Sequence, residues 1–437
     1  MKTFFKAFIV VSTIFFQACS KDAPSTAPNP VYPQGKWSAT VDPHWIAYGD
    51  TLPGVNITVT SKDTTTIQTR LKLHVETDSH EQYCDVIDSL VVKENSTENK
   101  LLTFKAEPGF YNCTLTIDDS VVWNKTLGYE PTQIASTNNE ESDFDDFWAK
   151  ATNEANALNV NPQLTLIKKY SNSECNIWAF TIESVPDETS DGKPVQISGF
   201  YSELTAEGKH PIIVQCQALG SGGSDTITHH LPNAHLLTFW VRGENVNHPN
   251  PYGDWISYGL NSKDSYFYRG AFCDVLATLK FAKSRENVDT NQIFVFGGSQ
   301  GGALTLIAAA LDPTIKAISA SIPFLGDFPS SAKITQWPTR DILDTGKRQG
   351  LTEEEVLKTL SYFDTKNFAK RIKCPVIMEM GLQDPYCPPR TTIAIYNNLT
   401  QSPMKSYQFN MDLQHQPSPG FYNRTIEFFN KFINEKQ

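Results

Sequence analysis

The stretch Gly297-Gly298-Ser299-Gln300-Gly301-Gly302 decides how this chain folds. It follows the apolar run 293–296 and precedes a helix-prone run at 303–311. A strand, a glycine-rich turn and a helix in this order are the context of a G-x-S-x-G nucleophile elbow. The glycines let the strand and the helix close around the serine, and the helix N-terminus favours negative charge that develops there. We therefore predict that Ser299 is a nucleophile. A purely structural glycine turn is the alternative.

A nucleophilic serine needs a base, and the base needs an acid to orient it. In folds with this elbow the chain order is serine, acid, histidine. His415 is the one histidine after Ser299, and it lies in a polar loop behind the last predicted strand. It is the predicted base, and a solvated loop histidine is the alternative. Asp384 follows the apolar strand 376–380 and is the predicted acid. Six other aspartates compete with it, namely Asp312, Asp327, Asp341, Asp344, Asp364 and Asp412.

The negative oxygen formed by attack on an ester needs two backbone N–H donors. One is expected from Gln300, the residue after the nucleophile. The other is expected from the loop 217–223, which follows the apolar strand 211–215 and is rich in small residues.

Residues 131–437 predict an α/β domain. Short apolar runs at 211–215, 237–241, 293–296, 317–321 and 376–380 alternate with helical patterns, and a further strand is predicted at 407–409. Nearly continuous apolar strands are typical of a mostly parallel, doubly wound sheet.

Residues 36–130 predict a small all-β, sandwich-like domain, because apolar and polar residues alternate there over several short segments. Cys84 and Cys113 are each in phase with an apolar strand face. Two interpretations are open: the cysteines form a disulfide between the two sheets, or they are two unpaired thiols in the core.

The N-terminus indicates export. Residues 1–19 contain two lysines, an apolar run at 7–16 and then Ala18-Cys19, which resembles a lipoprotein signal peptide with Cys19 as the lipidated residue. An ordinary secretory signal with an incidental cysteine is the alternative. Residues 20–35 are rich in Pro, Ser and Thr and predict a flexible linker. We expect a lipid-anchored protein of the cell envelope, at the outer membrane or cell surface.

Composition limits the remaining partners. The 437 residues carry a formal net charge of −11, and a nucleic-acid binder would need a basic face. No later segment is long and apolar enough to predict a transmembrane helix. The eight cysteines show no metal-ligand spacing, so neither a metal nor an organic cofactor is predicted.

Beyond the elbow, further motifs resemble the acetyl xylan esterase and cephalosporin C deacetylase family, from about residue 140 to the C-terminus. These are the stretches 268–270, 311–313, 323–328, 359–364 and 381–389. The resemblance implies an α/β-hydrolase fold and removal of acetyl groups from sugars or related small esters. It implies catalytic roles for Ser299, Asp384 and His415, and oxyanion amides from Leu219 and Gln300. Members are often cyclic hexamers, so a homo-oligomer is expected.

Three departures from the family pattern affect substrate preference. Glu244 replaces a glutamine, Gln416 replaces a glutamate after the histidine, and Leu219 stands in a loop that often carries an aromatic residue. Two other functions remain open. One is a serine peptidase of the prolyl-peptidase type, which also joins a β domain to this fold. The other is a non-catalytic surface lipoprotein that binds glycans, with Trp37, Trp45 or Trp123 as candidate stacking residues.

Overall fold

A computed structural model describes residues 32–34, 37–221, 231, 233–244 and 250–433. The chain divides into two compact units. Of the described residues, one unit contains those up to Ser136 together with Pro388–Ile393, and the other contains Thr137–Cys387 and those from Ala394 onward. The predicted signal peptide, including Cys19, lies outside the described residues.

The described part of the first unit is built of strands. They are β1 (Tyr32–Gln34), β2 (Trp37–Pro43), β3 (Ile46–Ala47), β4 (Gly54–Ser61), β5 (Ile67–Thr77), β6 (Gln82–Val92), β7 (Thr97–Thr103), β8 (Gly109–Ile117) and β9 (Ser120–Tyr129). One sheet has the order β1-β2-β4-β7 and the other has the order β3-β9-β8-β5-β6. Apolar residues of both sheets form one buried core, including Ile57 from the first and Leu73 from the second. The predicted sandwich is therefore confirmed.

Strand β1 lies inside the segment predicted as a flexible linker, so three residues of that segment are part of a sheet instead. Tyr32–Gln34 pairs antiparallel with β2, with Tyr32 opposite Ala39. Pro33 cannot donate to a sheet ladder, but β1 is an edge strand, where a proline is tolerated.

The cysteines of this unit are placed by the register of β5. Val75 lies opposite Cys84 on β6 and also opposite Cys113 on β8. The two cysteines therefore flank β5 in the same sheet, two strand spacings or roughly 10 Å apart. A disulfide needs Cα atoms within about 7 Å, and both thiols are free. The disulfide interpretation is wrong, because the two residues do not face each other across the sandwich.

The tryptophans proposed as glycan contacts pack with the same core. Trp123 is buried in this core, and Trp37 and Trp45 are half-buried and pack against the core. Their main contribution is therefore to the packing of the sandwich.

The second unit is centred on one mixed sheet. Its strands are β10 (Gln163–Leu166), β11 (Cys175–Ser184), β12 (Val195–Leu204), β13 (His210–Cys216), β14 (His235–Trp240), β15 (Val288–Gly298), β16 (Ile315–Ser321), β17 (Val376–Gly381) and β18 (Lys405–Asn410). Their order is β10-β11-β12-β14-β13-β15-β16-β17-β18. Six neighbouring strands, β14, β13, β15, β16, β17 and β18, pair in parallel. Strands β12, β11 and β10 extend the sheet beyond β14 with antiparallel pairing.

Helices accompany this sheet. They are α1 (Phe144–Ala157), α2 (Phe267–Lys283), α3 (Gln300–Leu311), α4 (Phe328–Ile334), α5 (Asp341–Arg348), α6 (Glu353–Ser361), α7 (Thr365–Ala369), α8 (Pro389–Asn397) and α9 (Phe421–Asn430). Short helical turns also occur at Trp255–Ser257 and Gln336–Arg340 in this unit and at Pro131–Gln133 in the first unit. The predicted α/β architecture is confirmed. Within the described residues no helix has the length and apolar character that crossing a bilayer requires.

The parallel strands determine where functional side chains can meet. β15, β16, β17 and β18 are consecutive neighbours in the sheet, so their carboxyl ends lie along one edge. The residues that follow β15, β17 and β18 include Ser299, Asp384 and His415. Segments distant in sequence are thereby brought to one place.

Candidate active site

Ser299 lies in the tight turn between β15 and α3. Its φ is 56° and its ψ is −121°, a strained backbone conformation for serine that costs about 1–3 kcal/mol. Two backbone hydrogen bonds hold it there. The Ser299 N–H donates to the Ser321 carbonyl at 3.0 Å, and the Phe324 N–H donates to the Ser299 carbonyl at 3.0 Å. The turn is thus fixed to the segment that ends and follows β16.

Two glycines of the elbow are required by close packing. A Cβ on residue 301 would lie 2.1 Å from the Cys216 carbonyl oxygen, and one on residue 297 would lie 2.7 Å from the same atom. Real Cβ atoms do not approach so closely. The start of α3 can therefore meet the end of β13 only because these positions lack side chains.

His415 and Asp384 meet Ser299 at this edge of the sheet. Ser299 Oγ lies 2.8 Å from His415 Nε2, and His415 Nδ1 lies 2.8 Å from an Asp384 carboxylate oxygen. A proton on Nδ1 that is donated to the carboxylate leaves Nε2 free to accept the serine O–H. This arrangement can transfer the serine proton to the imidazole while the carboxylate holds the ring in the required tautomer.

The Asp384 carboxylate is buried and fully engaged. Its side chain has 0% exposure, and its second oxygen accepts the backbone N–H groups of Tyr386 and Cys387, each at 2.9 Å. Buried carboxylates require such partners. Competing aspartates have other contacts: Asp312 pairs with Lys283, and Asp364 accepts the backbone N–H of Asp327.

The acid and histidine loops run side by side. The Gln383 N–H donates to the Leu413 carbonyl at 3.0 Å, and a Cβ on residue 381 would lie 2.2 Å from the Gln414 carbonyl oxygen. Backbone contact of this kind fixes the spacing between the carboxylate and the imidazole.

Glu379 supports the histidine loop, and the sequence interpretation missed it. It is buried on β17, accepts the Ser321 hydroxyl at 2.7 Å and pairs with Arg424. It also accepts both the backbone N–H and the hydroxyl of Ser418, which follows His415 in the same loop. A single glutamate inside the otherwise apolar strand 376–380 is the sequence signal that could have identified it.

The predicted oxyanion donors are two backbone amides. Gln300 is the first residue of α3, and Leu219 lies in a turn closed by a Ser221 N–H to Ala218 carbonyl hydrogen bond at 3.2 Å. Gly220 has a φ of 72° in this turn, which favours glycine. Among the described residues, neither amide donates to an acceptor. The rest of the predicted loop, from Gly222, lies outside the described residues.

The Gln300 side chain is held by two buried groups. Its Oε1 accepts the Tyr268 hydroxyl at 2.8 Å, and its Nε2 donates to Glu244 Oε1 at 3.1 Å. Burial raises the pKa of Glu244 to about 8. The sequence interpretation noted residue 244 only as a departure from the family, because the alternation of apolar residues does not reveal a buried acid.

Arg242 fixes the segment that leads to Glu244. Its guanidinium is buried and pairs with Asp274 on α2 at 2.7 Å and with Asp187 at 2.8 Å. Its backbone N–H donates to Asp274 at 2.8 Å. A Cβ on residue 270 would lie 2.3 Å from a guanidinium nitrogen. Gly270 is therefore needed for Arg242 to reach its partners.

Aromatic side chains line one side of His415. The Tyr386 ring lies 5.4 Å from the imidazole in an edge arrangement, and Trp337 lies 5.3 Å from Tyr386. Tyr386 is 37% exposed. A bound ligand at His415 would thus meet an accessible aromatic edge.

Asp384, Cys387 and His415 also have ligand atoms within 4.8 Å of one another, a spacing that could hold a metal ion. A metal there would replace the hydrogen bond that orients the imidazole. Burial raises the pKa of the Cys387 thiol well above its usual range, and a protonated thiol is a poor ligand. The chemistry of the donor set therefore favours the hydrogen-bonded chain over a metal site.

Comparisons with known proteins identify the family of this chain. The family model "Acetyl xylan esterase (AXE1)" matches residues 130–432. The acetyl esterase Axe7A of Xylanibacter ruminicola is 26% identical over 317 residues, which cover 67% of this chain and 68% of that protein.

Two solved structures are similar to the same region. An acetyl xylan esterase from Paenibacillus sp. R4 is 28% identical with a TM-score of 0.60, and the match covers 69% of this chain and 98% of that one. Acetyl xylan esterase 1 from Thermoanaerobacterium sp. JW/SL YS485 is 27% identical with a TM-score of 0.62, covering 69% and 97%. The α/β-hydrolase fold is confirmed. The family model covers well over half of the chain, and the chain belongs to the acetyl xylan esterase family.

Proposed function

We propose that this chain removes acetyl groups from carbohydrates or related small esters through an acyl-enzyme intermediate on Ser299. Its family makes it a carboxylic ester hydrolase that acts on acetylated carbohydrates. One observation carries the finer mechanism. The 2.8 Å contacts from Ser299 to His415 and from His415 to Asp384 form the proton path that a serine esterase needs.

In the first half of the reaction, Ser299 Oγ attacks the acetyl carbonyl carbon while His415 Nε2 takes the hydroxyl proton. The carbonyl oxygen becomes negative, and the amides of Leu219 and Gln300 donate to it. The Asp384 carboxylate stabilises the imidazolium. Collapse of this intermediate breaks the bond to the sugar oxygen, which takes the proton from His415, and leaves acetyl-Ser299.

In the second half, water occupies the place of the sugar. His415 takes a proton from the water while the water oxygen attacks the carbonyl carbon of acetyl-Ser299. The same two amides hold the new oxyanion. Collapse of this second intermediate returns the proton from His415 to Ser299 Oγ and releases acetic acid, which ionises to acetate in solution.

Two local features bear on the substrate. Leu219 is half-buried against the main core of the unit, in the turn directly after β13. We propose that this turn closes a small acyl pocket suited to acetate. Tyr386, exposed beside His415, is positioned for the alcohol side, because His415 protonates the departing sugar oxygen.

We also propose that the protein is exported and anchored by lipid at Cys19, at the outer membrane or cell surface. The support is the sequence of residues 1–19. Self-association, which the family resemblance implies, stays a prediction.

The test is acetate release by the purified protein from acetylated xylo-oligosaccharides and from p-nitrophenyl acetate, with Ser299→Ala as the control. Mass spectrometry of a rapidly quenched reaction should find an added acetyl group on the peptide that contains Ser299. Equal acetate release by the Ser299→Ala protein would contradict the proposal. Faster cleavage of a dipeptide amide than of either ester would point to a peptidase.

A further inference from the structure

Glu244 is a buried acid that contacts the side chain of Gln300 and the backbone N–H of Gly220, the residue after Leu219. It is 6% exposed and ends a turn in which its N–H donates to the Val241 carbonyl at 3.2 Å. The Arg242 contacts with Asp274 and Asp187 hold this turn in place. The position of the Glu244 carboxyl group is therefore determined by the fold of the second unit.

The carboxyl group of Glu244 joins two segments. Oε1 accepts the side-chain amide of Gln300 at 3.1 Å, and the backbone N–H of Gly220 donates to the same carboxyl group. Gln300 carries one predicted oxyanion amide, and Gly220 directly follows Leu219, which carries the other. The second oxygen, Oε2, is buried and has no hydrogen-bond partner among the described residues.

We propose that Glu244, in its neutral protonated form, is a positioning residue that fixes the spacing of the Leu219 and Gln300 amides around the oxyanion. This inference rests on the proposed function, since it requires the reaction to pass through an oxyanion at Ser299.

The protonation state matters because of the charge that the reaction develops. A carboxylate bonded to Gln300 and Gly220 would repel a negative oxygen held by the neighbouring amides, and the repulsion is strong in a buried site. Burial raises the pKa of Glu244 to about 8, so the neutral acid predominates at neutral pH.

Among the residues that the structure describes, no cation acts on the Glu244 carboxyl group. Tyr268 on α2 faces it, and burial raises the pKa of that phenol well above its usual range, so it stays neutral. Gln300 on α3 and Gly220 are uncharged donors. The nearby Arg242 guanidinium is paired with two aspartates. Turnover should therefore decline as pH rises through about 8.

The test measures kcat and KM for p-nitrophenyl acetate against pH in the full-length wild type, Glu244→Gln and Glu244→Ala. Glutamine keeps the acceptor oxygen and cannot ionise. We expect Glu244→Gln to keep kcat at pH 6.5 within about threefold and to lose the alkaline decline. We expect Glu244→Ala to lower kcat about 10- to 100-fold at all pH values, with little change in KM. This loss in kcat is smaller than the loss expected when an oxyanion donor is deleted outright.

Glu203→Gln is the matched control, because Glu203 is another mostly buried glutamate, bonded to Trp178 and Asn287 in a different part of the sheet. It should keep the alkaline decline. The proposal is overturned if Glu244→Gln declines with pH as the wild type does, or if Glu244→Ala matches wild-type kcat. If Glu244→Ala does not fold, the comparison of the wild type with Glu244→Gln still decides. A wild type no faster than Ser299→Ala would instead overturn the proposed function, and this inference with it.

Discussion

Glu379 accepts two hydrogen bonds from Ser418, one from the backbone N–H at 2.9 Å and one from the hydroxyl at 2.7 Å. Glu379 lies on β17, and Ser418 lies in the loop that carries His415. This contact therefore ties the position of the imidazole to a rigid strand of the sheet.

Glu379→Ala should destabilise the second unit by about 1–3 kcal/mol, because it leaves buried donors without an acceptor. It should also lower kcat, since His415 loses its support. Denaturant unfolding and steady-state kinetics measure the two effects. Ser418→Ala removes only the hydroxyl donor and should have the smaller effect on both. An unchanged kcat in Glu379→Ala would show that the loop holds its geometry without this contact.

Ser299→Ala should leave the fold intact and reduce ester turnover by on the order of 10⁴–10⁶. His415→Ala should cost a similar factor, and the double variant little more, because the two residues act in one proton transfer. The measurement is kcat for p-nitrophenyl acetate, with circular dichroism as the folding control. Additive losses in the double variant would contradict a shared role.

Acetyl esters should be hydrolysed faster than longer acyl esters. Each added methylene that a small pocket rejects costs roughly 1–3 kcal/mol in kcat/KM, so p-nitrophenyl butyrate should react much more slowly than the acetate. Leu219→Ala should reduce this difference by widening the pocket. Faster hydrolysis of octanoate than of acetate by the wild type would assign the site to long-chain esters instead.

Glu244→Gln should change how stability depends on pH. Folding raises the pKa of Glu244 from its ordinary value of 4.5 to about 8. A raised pKa means that the folded state binds the proton more tightly, so this contribution to stability is complete below pH 4.5 and is lost as pH rises through about 8. The urea midpoint of Glu244→Gln relative to wild type should therefore increase from pH 5 to pH 8.5. An equal difference at both pH values would mean that Glu244 is not the titrating group.

Cys19→Ser should release the protein from the membrane fraction without altering kcat. The reason is that lipid attachment requires the cysteine thiol, whereas the active-site contacts lie in the second unit. Fractionation of cells that express each form, followed by an ester assay of both fractions, measures the effect. Continued membrane association of the variant would place the anchor elsewhere.

Most of the parallel strands could be predicted from sequence because they are apolar runs; β18, with the sequence KSYQFN, is the exception. The run 293–296 lies within β15, and the run 376–380 makes up all of β17 except its last residue. β11 and β12 were not identified. Their buried and partly exposed residues alternate over ten positions each, with polar side chains among them, so no continuous apolar run marks them.

Predicting the positions of Ser299, Asp384 and His415 required only their chain order and their place after strands. The groups that support them could not be found in this way. Glu244 and Glu379 are functional candidates because the fold buries them, and burial of a carboxyl group depends on contacts between distant segments. The Cys84 and Cys113 interpretation failed for the same reason, because the alternation fixes which face a residue takes but not which strand lies next to it.

Under the proposed mechanism, the order of the active-site segments in the chain also governs when the protein becomes reactive during its synthesis. Ser299 follows β15, whereas His415 follows β18 and is the latest of the three groups in the chain. A polypeptide leaves the ribosome N-terminus first, and its domains fold as their residues emerge. A nascent chain that ends before β18 lacks His415, so under the proposed mechanism its Ser299 is an ordinary alcohol. Under the proposed mechanism, hydrolysis of acetyl esters therefore begins only after β18 and the loop that follows it have been synthesised.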